Sequence, residues 1–140
     1  MLKIFKIFLV SLLLLINFRC SNNTLQDCTG GVCTEEFVSI TISIMDVSGN
    51  PVKLDSYKAI LEDTDQNIAP ELSNMDNDSF GENGIYVIFS DRFAKDYQNK
   101  RTMLNFIGIK NDQEIISSVF EVGADCCHVK LLSGNRDIIL

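Results

Sequence analysis

The chain has 140 residues, room for one domain rather than two. It is 46% hydrophobic with two prolines, which excludes a disordered chain, and 19 acidic residues outnumber 12 basic ones. An acidic chain repels a phosphate backbone, so nucleic acid is excluded as a partner.

The first residues follow a secretory pattern. Lys3 and Lys6 supply a positive start, and Ile7 to Ile16 (IFLVSLLLLI) form an apolar run. A run of about ten residues is too short for a bilayer core that needs roughly 20. No pair of small residues marks a cleavage site after it. The run ends instead in Asn17-Phe18-Arg19-Cys20-Ser21, followed by polar residues to Thr24. These 20 residues resemble a bacterial lipoprotein signal, although that family usually has Leu three places before the cysteine and small residues between. The resemblance implies a signal peptide over residues 1–19 and an acylated Cys20 as first mature residue. It also implies a place at the cell envelope, anchored in the outer membrane and facing the periplasm or the surface. Loss of Lys3, Lys6 and Arg19 leaves nine basic residues against 19 acidic ones, a net charge of about −10. Such a domain is not drawn to an anionic membrane surface. Its contact with the membrane then comes from the lipid.

Residues 20–35 read as a flexible tether with Gly30-Gly31 inside it. They carry two of the remaining cysteines, Cys28 and Cys33; Cys126 and Cys127 are the others. Four is an even number, and an oxidising compartment favours disulfides. A bond between the adjacent Cys126 and Cys127 is disfavoured by geometry. The expectation is therefore two long-range bridges from Cys28 and Cys33 to Cys126 and Cys127, with the pairing left open. The C-x4-C spacing of Cys28 and Cys33 is not the C-x-x-C of redox-active sites. Three adjacent ligands, Cys126-Cys127-His128, do not readily converge on one tetrahedral zinc.

From Phe37 the dominant period is two, the strand signature. Val38, Ile40, Ile42 and Ile44 alternate with Ser39, Thr41 and Ser43. A turn over Asp46–Pro51 follows, then an extended stretch from about Val52 to Glu62. Residues 63–83 are polar, with room for a short strand near Ile68. Further strands are expected at Ile85–Ser90, Thr102–Lys110, Glu114–Val122, Cys126–Leu132 and Arg136–Leu140. Asp91–Arg101 reads as one helical turn or a loop. Asn111-Asp112 and Gly123-Ala124-Asp125 read as turns, and no amphipathic helix of ordinary length is expected. About seven strands make an all-β domain over residues 36–140, expected as a single antiparallel β-sandwich.

Two motifs sharpen this. Asp46-x-x-Gly49-Asn50-Pro51-Val52 and Glu82-Asn83-Gly84-Ile85-Tyr86 resemble transthyretin-like, carboxypeptidase-regulatory-like β-sandwiches, over about residues 37–90. That resemblance implies a non-catalytic accessory or binding domain with no catalytic residues to carry over.

Candidate chemistry is sparse. His128 is the only histidine, and strand alternation points it outward if Cys127, Val129 and Leu131 face the core. Any Ser-His-Asp arrangement needs it, and no G-x-S-x-G elbow accompanies it. Asp63-x-Asp65-x-Asn67 begins like a calcium loop, but Ile68 and Asn74 stand where Gly and Glu belong. Asp76-x-Asp78 with Gly81 fails at Val87. The absence of Trp weakens a sugar-binding reading and leaves Tyr57, Tyr86 and Tyr97 as aromatic platforms. The expectation is a binding or structural module without cofactor or metal, presenting loops at one end to an envelope protein or glycan. The alternative is a small secreted hydrolase or metal-dependent enzyme using His128 and nearby acids.

Overall fold

The computed structural model describes residues 28–70 and 75–140, with backbone alone over 75–78. The signal segment and Cys20 lie outside the described residues. Among the described residues seven strands form: β1 (Ser39–Met45), β2 (Ser56–Leu61), β3 (Ile85–Ser90), β4 (Arg101–Lys110), β5 (Gln113–Ala124), β6 (Val129–Ser133) and β7 (Asp137–Ile139). They make a three-stranded sheet in the order β3-β1-β7 and a four-stranded sheet in the order β2-β4-β5-β6. The chain is all-β, as the period-two pattern predicts.

Both sheets feed one core. Ile40, Ile42 and Ile44 of β1 and Tyr86, Ile88 and Phe89 of β3 come from the first; Ala59, Leu61, Leu104, Phe106, Phe120 and Val122 come from the second. Tyr57, Tyr86 and Phe106 meet at its centre, with Tyr57 edge-on to Tyr86 at 5.3 Å between centroids. Each buried tyrosine hydroxyl needs a partner. Tyr86 accepts from the Leu54 amide at 2.7 Å and donates to the Val52 carbonyl at 2.9 Å. Tyr57 donates to the Val87 carbonyl at 3.0 Å, so a side chain of the second sheet holds an edge strand of the first.

The turns explain the motifs. Asp46 accepts from the amides of Ser48 and Asn50 and from the Asn50 side chain. Asn111 and Asp112 both have positive φ, the backbone of a tight hairpin between β4 and β5. Gly84 has φ +68°, and a Cβ there would lie 2.4 Å from the Ile44 carbonyl oxygen. The glycine is required because that carbonyl belongs to the neighbouring strand's backbone.

Four expectations need correction or refinement. The domain is not wholly antiparallel: β7 pairs with β1 in parallel, Ser43 opposite Asp137 and Met45 opposite Ile139. A three-residue strand carries no local mark of its partner's direction. Second, the polar stretch 63–83, read without a helix of ordinary length, holds a short one, α1 (Met75–Glu82). Third, no strand forms at Ile68. Asn67 makes an isolated bridge to Ile60, and its side chain accepts from the Ala59 amide. Fourth, β5 runs through Ala124 and the turn falls on 125–128, so Cys126 and Cys127 lie in the turn. Asp125 drives this by accepting from the amides of Cys127 and His128.

A β-bulge breaks the alternation of β3. Its register against β1 shifts between Ile40 and Thr41, and both Ile88 and Phe89 are buried.

Replacement of Gly84 by Ala is expected to cost about 2 kcal/mol or more, from the left-handed backbone and the clash. Chemical denaturation measures this, and an unchanged midpoint would contradict the close approach.

Candidate functional site

The four described cysteines pair as Cys28–Cys126 and Cys33–Cys127, across 98 and 94 residues. They fasten the segment before β1 to the β5–β6 turn. Consecutive cysteines can both do this because the turn, unlike a strand, does not aim neighbours at opposite faces. The pairing also removes these thiols from metal binding.

Next to the bridges lies a hydrogen-bonded chain. Thr34 follows Cys33 and His128 follows Cys127, so the bridge sets their spacing. Thr34 Oγ1 lies 2.9 Å from His128 Nε2, and His128 Nδ1 lies 2.7 Å from Asp91 Oδ2. Asp91 also accepts from the Val38 amide and the Val129 amide, each at 2.8 Å. Burial alone would raise the Asp91 carboxyl. The bonds from Val38, His128 and Val129 outweigh it and hold the group below its ordinary range. An ionised Asp91 accepts a hydrogen bond from His128 Nδ1–H, and Nε2 on the far side of the ring pairs with the Thr34 hydroxyl. The outward-facing histidine expected from alternation is thus only 23% exposed at its side chain, with a partner on each nitrogen. Asp125 is held at about 2, by the His128 amide, then by Lys130, whose ammonium lies 2.7 Å away.

The other sequence candidates separate. Asp63 accepts the Tyr97 hydroxyl at 2.9 Å; burial first, then this bond, push that tyrosine up to about 12. Among the described residues no three His, Cys, Asp or Glu side chains gather as a metal site. The side chains of Asp76 and Asp78 lie outside the described set. Tyr57, Tyr86 and Tyr97 are all buried, so none is a platform for a sugar.

The site that the strand reading missed is a groove of about 400 Å³. It lies where β3, an edge of the first sheet, faces the segment Ile68–Pro70, which runs beside β2, an edge of the second. Phe37, Phe80, Val87 and Phe93 line it, with Ser39, Ser90 and Arg92 as polar members. Four consecutive residues of β3, Val87 to Ser90, border the groove, and the bulge falls among them. The adjacent residues Asp91 and Arg92 divide the two features, Asp91 serving the histidine chain and Arg92 the groove. The sequence signal was Arg92-Phe93 after an apolar strand, but nothing local joins it to Phe37 or Ile68.

Fold and site together define a disulfide-tied all-β protein of seven strands in two sheets. No family model, curated protein or solved structure with which the chain was compared matches it.

The two bridges should not act additively. Either alone closes a loop of about 95 residues, worth roughly 4–5 kcal/mol in the chain-entropy model. Once one is closed, the second closes a ring of only about eight residues, worth roughly 2–3 kcal/mol. Replacing either pair by serine should therefore cost about 2–3 kcal/mol, and replacing both about 7 kcal/mol, more than the singles combined. Urea denaturation of the three variants reads this directly, and additive losses would contradict it.

Proposed function

We propose that the protein is exported, held at the cell envelope by an acylated Cys20, and folded as a β-sandwich of the transthyretin-like kind. It acts as a non-catalytic binding module, and the groove beside β3 is its binding site. The observation that carries this reading is the pairing of all four described cysteines, Cys28–Cys126 and Cys33–Cys127. Such bridges persist in oxidising compartments and are rare in the cytosol. The sandwich reading is supported by a core shared between the two sheets and by Tyr57 reaching across to Val87. A concave apolar site with a few placed polar groups is the usual form of a small-ligand pocket.

The anchor has a direct test. Intact-mass measurement of the protein from envelope membranes should find a chain beginning at Cys20 and carrying acyl mass. An unmodified N-terminus at another residue overturns the anchor.

A second reading is favoured by one observation, the Thr34–His128–Asp91 chain, which has the order of nucleophile, base and orienting acid. Against it, neither Thr34, His128 nor Asp91 borders the groove. Asp91 already has a structural task in receiving two backbone amides. We expect the chain and its Thr34→Val variant to hydrolyse p-nitrophenyl acetate at the same background rate. A rate dependent on Thr34, with a pH profile set by His128, would replace the binding module with a hydrolase.

A further inference from the structure

We propose that the groove takes a small amphiphilic anion: one carboxylate on an aliphatic or aromatic body. The inference rests on the binding-module reading and names the ligand class for that site. The walls are apolar and aromatic, with Phe37, Ile68, Phe80, Val87 and Phe93 facing the space. Phe37 is 66% exposed and Phe80 44% exposed, so two large rings at its edge lie open to water. Covering an aromatic side chain of this size is favourable. A ligand body that fills the groove would cover part of both.

The polar members decide the head group. Among the described residues no carboxylate lines the groove. Among these residues Arg92 is the one charged side chain lining it, and no carboxylate pairs with it. Its guanidinium carbon sits 5.8 Å from the Phe93 ring centroid, which steadies the group and leaves its N–H fork unpaired. An Arg fork matches a carboxylate in shape and charge. Ser39 and Ser90, partners across β1 and β3, add hydroxyl donors on the same wall. A volume near 400 Å³ suits a small ligand rather than a polymer segment.

Titration calorimetry of the full chain with octanoate, octanol and octyltrimethylammonium tests this. Ser39→Trp, which fills the groove from an exposed strand position, serves as the blank for partitioning into any carrier lipid or detergent. Octanoate should bind the native chain above that blank, and more tightly than either other probe. Arg92→Gln should weaken octanoate about tenfold or more while leaving octanol unchanged. Thermal unfolding should show both variants folded, since neither position is buried. Equal binding of all three probes overturns the anion assignment and leaves the binding module standing. Failure of every probe to bind above the blank overturns both the ligand class and the groove as the site.

Discussion

One carboxylate holds the two sheets together at the end where the chain enters them. Asp91 follows β3 in the first sheet and takes the amide of Val38 just before β1 and the amide of Val129 at the start of β6. It takes the imidazole of His128 as well. Without that acceptor, the two strand-entry amides would lose their partner, at a cost of about 1–3 kcal/mol for each left buried. The cost of burying Asp91 is outweighed because each of its bonds favours the charged form. Asp91 thereby ties the start of β6 in one sheet to the entry of β1 and the end of β3 in the other.

The disulfides act on the same end by a different physics. Asp91 stabilises the folded arrangement through contacts, whereas the bridges act chiefly by limiting the unfolded chain. They also bring Thr34 to His128, since each residue follows a cysteine of the second bridge. The Thr34–His128–Asp91 order is in this light a consequence of anchoring. A threonine carried by the tied segment satisfies the nitrogen that Asp91 leaves free.

The groove arises at the opposite flank of the same junction. Edge strands leave room for a ligand because nothing pairs with their outer side. Here β3 and β2 are the facing edges, and the Tyr57 hydroxyl bridges part of the gap. The bulge in β3 then sets Ile88 and Phe89 side by side in the core next to the remaining space. Arg92, one residue past Asp91, is held at the rim by the turn that the Asp91 amide begins through its bond to the Val38 carbonyl.

The sequence alone determined most strands, because alternation of buried and exposed side chains is a local property. Ile40, Ile42 and Ile44 mark β1, and IYVIFS marks β3 within its observed ends. It also determined which four cysteines could pair, by parity and the poor geometry of adjacent bonding. It did not determine Cys28 with Cys126, the parallel entry of β7, the helix α1, the two partners of His128 or the groove. Each of these depends on residues brought together across the fold: 98 residues apart for the first bridge, 37 for His128 and Asp91. Period two records which face of a strand is buried. It carries no record of the strand that will lie beside it, and that choice was settled only when both sheets closed over one core.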